Sequence, residues 1–312
     1  EHLCVVNYLT RERPGHAMFE QRDDGRIVCT VIAFDHPFEF SLIAGSLAAA
    51  GFDIQKGDIY TFETVKENQT SGRRFGVHSS MTIKRDPFKQ AIILDRFIGT
   101  RAEDDQSFES WADRLARELA DILKLLDEQN EASKLKAKKR VNERVTARLA
   151  KLPRSDEPVL LPVELDIEPI DDSMVRLTVS AQDTPAYLYA LTTALSLRGI
   201  NIHRIRIHSD ETTRAITDVI DLIPESRRRI QDANWLENVK LSALLTKQFT
   251  YFLERSPDPY AALSRFERLC EDFLDAAQAD PQAGFRKLTN PSTMRDLAKL
   301  LGTSQYLWED FI

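Results

Sequence analysis

Two short segments of this chain share one pattern of aspartate, proline and apolar residues: Asp35-His36-Pro37-Phe38-Glu39-Phe40-Ser41-Leu42-Ile43 and Asp183-Thr184-Pro185-Ala186-Tyr187-Leu188-Tyr189-Ala190-Leu191. They lie 148 residues apart, and the same offset relates further apolar and glycine positions: Leu47 to Leu195, Gly51 to Gly199, Ile54 to Ile202 and Ile59 to Ile207. One offset that holds over so many positions predicts an internal duplication.

Each copy predicts a strand followed by a helix. An apolar, β-branched run precedes Asp-x-Pro in each copy, at 28–34 and at 175–179, and such runs are typical of strands. Asp-x-Pro favours a helix start, and apolar residues at three- and four-residue spacing follow it. Gly51 and Gly199 stand where the end of that helix requires a left-handed residue.

Two more strands are predicted in each copy. The last of them is a second apolar run, at 91–97 and at 215–220, and here the offset is 123. The first copy therefore carries about 25 extra residues, roughly 63–88, whose polar composition predicts an inserted surface loop. Strand, helix, strand, strand and helix belong to a split β-α-β unit. We therefore expect an α+β protein with two ferredoxin-like (βαββαβ) sandwiches.

The predicted domains follow from this duplication. They are a first copy at 1–102 with its insertion, a long helical spacer at 103–157, a second copy at 158–250 and an all-α segment at 251–312. The spacer contains a basic cluster, Lys134 to Arg140. Such a cluster could meet RNA, an acidic partner or a nucleotide, but it is more typical of a hydrated helix face or a hinge.

Composition narrows the class of protein. The 312 residues include 42 Lys and Arg against 49 Asp and Glu, for a net charge of −7, which argues against nucleic-acid binding as the main task. No apolar run reaches the ~18–20 residues needed to cross a bilayer, so we expect no membrane partner. The three cysteines (Cys4, Cys29, Cys270) are too dispersed for a disulfide framework or a structural zinc site, and a reducing cytoplasm is expected.

No catalytic or metal-binding set is predicted. A nucleotidyltransferase needs Gly-Ser followed by Asp-x-Asp to hold Mg²⁺ against a triphosphate, and Asp-x-Asp does not occur in this sequence. Glu164, Asp166 and Glu168 fall on one face of a predicted strand, as in an exposed acidic face. Because the chain begins at Glu1 and ends on Phe311-Ile312, we expect a fragment of a longer protein.

The repeated segment resembles the ACT domain, a small amino-acid-sensing module. The pattern that carries the resemblance is Asp-x-Pro-x-x-x-x-x-Ile-Ala-x-x-Leu-Ala-x-x-Gly-x-x-Ile, as it stands in the first copy, and the resemblance covers roughly 25–100 and 160–250. Two such modules around a charged helical spacer resemble the C-terminal half of bacterial uridylyltransferases that modify the PII signal protein. The remainder, roughly 245–312, contains Ser256-Pro257-Asp258-Pro259 and Leu300-Leu301-Gly302. It resembles the start of glutamine synthetase adenylyltransferase, ahead of the nucleotidyltransferase domain.

The resemblance implies which residues bind a ligand, because ACT modules hold a small amino acid between the loop after their first strand and the start of their second. Carried over, the candidates are Asp35, His36, Pro37, Phe38, Phe52, Asp53 and Ile54 in the first copy, and Asp183, Thr184, Pro185, Ala186, Asn201 and Ile202 in the second. The family usually has glycine after the proline, where this chain has Phe38 and Ala186. Since Phe38 obstructs the backbone more, we expect binding in the second copy.

The resemblance also implies a function. The fragment would be the regulatory, amino-acid-sensing N-terminal part of a nitrogen-control nucleotidyltransferase that adenylylates glutamine synthetase, with glutamine as the effector. It would need no cofactor itself, since Mg and ATP would belong to a downstream catalytic domain. The copies could pair within one chain or between two chains as a homodimer. The alternative is a ligand-free ACT-fold segment that docks PII protein or glutamine synthetase.

Overall fold

The computed structural model describes residues 9–10, 12–62, 91–102, 106–151, 162–184, 186–210, 215–224, 230, 232–253, 256–277 and 290–302. The predicted insertion at 63–88 lies outside these residues. The strands in the described residues are β1 (Gly15–Gln21), β2 (Ile27–Phe34), β3 (Phe52–Phe62), β4 (Ile92–Arg101), β5 (Glu164–Pro169), β6 (Val175–Gln182), β7 (Asn201–Ser209) and β8 (Ala215–Ile223). The helices there are α1 (Glu39–Ala49), α2 (Phe108–Asp127), α3 (Glu131–Leu149), α4 (Tyr187–Leu197), α5 (Ala233–Leu253), α6 (Pro259–Ala277) and α7 (Pro291–Leu301).

All eight strands form one antiparallel sheet, in the order β1-β2-β4-β3-β7-β8-β6-β5. Strands β1–β4 with α1 and α2 make up the first copy, and β5–β8 with α4 and α5 make up the second. Each copy contributes four adjacent strands, and β3 pairs with β7 where the copies meet. The chain is therefore a mixed α/β protein in which the two copies share a single sheet.

The strand register reproduces both offsets of the predicted duplication. Val31 lies opposite Asp95 and Val179 lies opposite Asp218, and these pairs are related by 148 residues on one strand and 123 on the other. At the junction, Asp58 pairs with Arg206, and these two residues are themselves 148 apart. A pair of equivalent residues facing each other is what a local two-fold axis between the two copies produces.

The element order in each copy is ββαββα, which differs from the predicted βαββαβ order in one strand. In the predicted order, the edge strand beside the first repeat strand comes last. Here β1 and β5 fill that edge position before the repeat begins, because each joins the next strand through a hairpin. The edge is thus occupied, and the sequence after α2 and α5 continues as helix.

The helices form two layers on one face of the sheet. Helices α1, α2, α4 and α5 pack directly on the strands, and α3 and α6 pack on top of them. Helix α2 shows why: its apolar residues Trp111, Leu115 and Leu119 recur on one face and are fully buried. The first part of the predicted spacer is therefore integrated into the first copy.

Backbone conformation repeats at both ends of the first helix in each copy. Phe38 precedes α1 with φ 69° and Ala186 precedes α4 with φ 60°, both left-handed. After those helices, Gly51 and Gly199 have φ 74° and 66°, as the sequence predicts. Within the described ranges, no helix is long and apolar enough to cross a membrane.

Candidate functional site

The residues predicted to bind a ligand gather at two opposite ends of the sheet. At one end, residues 183–184 and 186 follow β6 and approach 52–54, at the start of β3, because β3 runs antiparallel to β7. At the other end, residues 35–38 follow β2 and share the sheet end with 201–202. Pro185 lies outside the described residues. Each end therefore combines a loop from one copy with a strand start from the other.

A cavity of about 250 Å³ lies at the first of these ends, between the copies. Six of the predicted residues line it: Phe52, Asp53, Ile54, Asp183, Thr184 and Ala186. Its volume is just below the ~300–1,000 Å³ of pockets for drug-sized ligands, so it suits a smaller metabolite. Tyr187, the first residue of α4, also lines the cavity, and a helix N-terminus is a favourable place for an anion.

Two buried hydrogen bonds hold the walls of the cavity. The hydroxyls of Thr184 and Thr250 lie 3.0 Å apart, which ties the loop after β6 to α5. The Tyr189 hydroxyl donates to Oδ1 of Asn142 at 2.6 Å, which ties α4 to α3. Because all four groups are buried, these bonds form out of water and fix the wall geometry.

A buried carboxylate lines the cavity, and a buried ammonium interacts with it. Asp218 on β8 is 2% exposed and lines the cavity, and Lys247 on α5 is 3% exposed. Burial raises the pKa of Asp218 to about 7 although the Lys247 charge opposes the shift. Burial lowers the pKa of Lys247 to about 8, against the charges of Asp183 and Asp218. Both groups therefore titrate near neutral pH.

The ring of Tyr187 lies beside this pair. The Lys247 ammonium is 4.0 Å from the ring centroid, a cation–π distance. Burial and the Asp218 charge hold the pKa of the Tyr187 hydroxyl well above its usual range. Nζ of Lys247, Oδ1 of Asp218 and the Tyr187 hydroxyl have no hydrogen-bond partner among the described residues. Such buried groups are costly unless something pairs with them.

Arg148 enters the cavity from α3. It lines the wall next to Gly51, and a Cβ built at position 51 would lie 3.2 Å from Cζ of the guanidinium. Glycine at position 51 therefore serves two purposes: it leaves room for the Arg148 guanidinium, and it adopts a φ of 74° without strain. The cavity consequently has one cationic wall and carboxylates in its lining.

The corresponding end of the sheet in the first copy is chemically different. Phe38 stands where the second copy has Ala186, and its ring is buried beneath the ammonium of Lys138, 3.9 Å from the ring centroid. Glu39 and Asp95 are both buried nearby, and burial with the charge of Asp35 raises the pKa of each carboxyl well above its usual range. An aromatic ring and uncompensated acids therefore replace the alanine and the lysine.

His36 belongs to the same end. Its Nε2 lies 3.4 Å from Oδ1 of Asp127, yet its pKa is lowered because burial outweighs the neighbouring carboxylates Asp127 and Asp35. Pro37 is exposed. Neither residue lines the cavity at the other end.

The basic cluster of α3 is paired within the chain. Lys138 contacts Glu267 on α6 at 2.7 Å, and Arg140 contacts Asp121 on α2 at 3.3 Å. The carboxylates Glu131 and Glu143 pair with two more of its lysines, Lys134 and Lys139. Lys138 and Arg140 thus join α3 to α6 and α2, whereas Lys134 and Lys139 pair within α3 itself. The acidic strand face is exposed as predicted, with Glu164, Asp166 and Glu168 all in contact with solvent.

The sequence analysis missed Lys247, Arg148 and Asp218. The duplication itself gives a signal for Lys247. Trp111 in α2 aligns with Trp235 in α5, and the same alignment places Lys247 at the position of the buried Leu123. A lysine at a core position of a repeat indicates a partner there. Arg148 gives no such signal, because it reaches the cavity through helix packing.

Within the described residues, no group of three His, Cys, Asp or Glu side chains could hold a metal ion. No protein-family model, no curated protein and no solved structure matches this chain.

Proposed function

We propose that this chain is a regulatory segment that binds a small amino acid in the cavity between its two copies, in the manner of paired ACT domains. One observation carries the proposal: six candidate residues implied by the ACT resemblance, drawn from both copies, line one cavity. The copies would be ferredoxin-like ACT modules in which β1 and β5 take the place of the last strand. Glutamine remains the first effector to test.

Backbone conformation gives independent support. ACT domains usually have glycine after the proline, and the residues at that position, Phe38 and Ala186, both have the left-handed conformation that glycine adopts most easily. A chain that keeps this conformation without glycine tolerates strain of about 1–2 kcal/mol. Ala186 adds only a methyl group beside the cavity, which is compatible with a ligand close to the backbone.

The position of the cavity fits regulation. A ligand there would contact β3 and α1 of the first copy together with α4 and β8 of the second. Any change in how the copies pack would change these contacts, so a ligand would favour one packing over another. A preference of ~1–3 kcal/mol would alter the activity of an attached domain by ~5- to 150-fold. We propose that this domain is a nucleotidyltransferase acting on glutamine synthetase.

Thermal denaturation with each of the twenty amino acids tests the proposal. We expect one of them to raise the Tm in a dose-dependent way, since saturation at ~100 times Kd stabilises by ~2.7 kcal/mol. The variant Ala186→Phe places the residue of the first copy in the cavity and should abolish the response. The matched control Ala147→Phe, on the exposed side of α3, should keep it. No shift with any amino acid would overturn the proposal.

A second candidate is docking of a protein partner without a ligand, and one observation favours it. Arg206 and His208 of β7 point away from the helices, since Ile205 and Ile207 between them are buried in the core, and Phe62 of β3 is 55% exposed. Titration of purified PII protein and of glutamine synthetase against the chain tests docking, and Phe62→Ser is the control. Binding of either without any amino-acid response would favour this second function.

A further inference from the structure

Three arginines of α3 stand in one row, each four residues after the last: Arg140, Arg144 and Arg148. The first two form ion pairs with carboxylates of α2, Asp121 and Glu118. The guanidinium of Arg148 makes no ion pair or hydrogen bond with any residue in the described ranges. It is half-buried and lines the cavity instead. A half-buried guanidinium with no carboxylate beside it is available to an anionic ligand group.

Asp218 supplies the complementary group from the sheet. It is 2% exposed, it lines the same cavity, and its Oδ1 has no hydrogen-bond partner in the described part of the chain. An acceptor buried in this way requires a donor. Asp183 lines the cavity beside it, and the two carboxylates interact electrostatically. Together they favour a cationic donor such as an ammonium group.

We propose that Arg148 binds the carboxylate and Asp218 the ammonium of one zwitterionic α-amino acid. This inference rests on the proposed function, and it adds the class of ligand and the residues that select it. The cavity would reject ligands in which either end is blocked, because each blocked end leaves a charged group buried without its partner.

Lys247 is a positioning residue in this arrangement. Lys247 does not line the cavity, but its charge opposes the rise in the pKa of Asp218, so part of the Asp218 population stays ionised at neutral pH. The other charged or titratable groups of this region are Tyr187 and Asp183, with Arg148 and Asp53 across the cavity. Because the pKa of Asp218 is about 7, binding of the ligand ammonium should strengthen as the pH rises from 6 to 8.

Calorimetry with three related ligands tests the inference. The probes are the amino acid with the largest thermal shift (L-glutamine first), its N-acetyl derivative and its α-carboxamide derivative. Wild-type protein should bind either derivative at least tenfold more weakly than the amino acid. Arg148→Met should weaken binding of the amino acid by about 10- to 100-fold and leave binding of the α-carboxamide unchanged. The matched control Arg140→Met, two turns earlier on α3, should alter neither.

Two results would overturn the inference: equal binding of the amino acid and both derivatives, or an equal loss of all three in Arg148→Met. Asp218→Asn should remove the preference for the free amino acid over the N-acetyl derivative. If that variant does not fold, the comparison of ligands on wild-type protein still decides. If no amino acid binds at all, the proposed function fails; if one binds without these preferences, only this inference fails.

Discussion

The two copies use the same backbone and different side chains where the first strand of the repeat joins its helix. Phe38 and Ala186 share a left-handed conformation, and the strands beside them carry a buried aspartate at the same register, Asp95 and Asp218. The second copy places a lysine, Lys247, near that aspartate, at the position that Leu123 occupies in the first copy. A duplicated fold thus preserves the backbone path, while the side chains at the junction diverge.

The divergence has a physical consequence. In the first copy, the ring of Phe38 is buried, and Oε1 of Glu39 and both carboxyl oxygens of Asp95 have no hydrogen-bond partner among the described residues. In the second copy, Ala186 leaves a cavity, and a buried ammonium compensates the acid. We interpret the first junction as a packed core and the second as a binding site.

The largest expected effect is on the packed junction. Phe38→Ala should reduce the free energy of unfolding by about 3–5 kcal/mol, since a buried aromatic ring is lost and a cavity remains. The loss of the Lys138 contact with the ring adds to this cost. Urea denaturation at pH 7 measures the change. Phe62→Ala is the control: Phe62 is 55% exposed, so its loss should be below about 1 kcal/mol, and similar losses in both variants would contradict the comparison.

Lys247→Leu gives the second copy the residue of the first, where Leu123 occupies the matching position. The folded pKa of Lys247 is lowered from 10.5 to about 8, so burial of the charged form costs stability at every pH below 8, and the cost fades between pH 8 and 10.5. We expect the variant to gain up to about 3 kcal/mol at pH 5, where Asp218 is protonated. The gain should shrink above pH 8.

Denaturation of both proteins at pH 5, 7 and 9 measures this change. Lys240→Leu is the control on the same helix, because Lys240 is only half-buried and pairs with Glu237 on the surface. A Lys247→Leu variant that is less stable than wild type at pH 5 would mean that the ammonium stabilises the junction.

Asp95→Asn tests the first copy, and its effect on stability should grow as the pH rises. The folded pKa of Asp95 lies well above its usual value because of burial and the charge of Asp35. The stability that the protonated carboxyl provides is complete below pH 4 and is lost as the pH rises through the folded pKa. The uncharged amide should therefore stabilise by about 1–3 kcal/mol at pH 8 and have little effect at pH 4.

Asp218→Asn is the matched variant in the second copy and should stabilise less than Asp95→Asn at pH 8, because the Lys247 charge opposes the rise in the pKa of Asp218. It removes one of the two carboxylates that stabilise the charge of Lys247, and breaking a buried pair is destabilising. Both variants are compared with wild type by denaturation at pH 4, 6 and 8. The same sign and size in both copies would show that Lys247 does not distinguish them.

Much of the framework could be predicted from the sequence because local chemistry determines it. The alternation of Val175, Leu177 and Val179 predicts β6, and the positions of Gly51 and Gly199 predict their left-handed conformation, which the structure confirms. The edge strand β1 could not be predicted, since its residues lack a regular alternation and it is held by pairing with β2. The joining of both copies into one sheet also depends on a contact distant in sequence, between β3 and β7.

The candidate site was predictable in part for the same reason. Residues 52–54, 183–184 and 186 are candidates that the ACT resemblance implies, and they line a cavity. The bulk of Phe38 compared with Ala186 predicts which of the two ends stays open, but the packing of the Phe38 ring against α3 follows only from the structure. Arg148 reaches the site only through the packing of α3 on α1.

The smallest expected effect concerns the strained backbone that both junctions share. Ala186→Gly removes a left-handed strain of about 1–2 kcal/mol, and the greater flexibility of glycine in the unfolded chain returns about 0.4–1 kcal/mol. The variant should therefore be more stable by roughly 0.5–1 kcal/mol, and denaturation should detect this. Ala147→Gly, at an exposed helical position of α3, should lose about 1 kcal/mol instead. Because the two substitutions are chemically identical, a loss in both would mean that the left-handed conformation at the cavity costs nothing, and the likeness between the two junctions would then carry no energetic meaning.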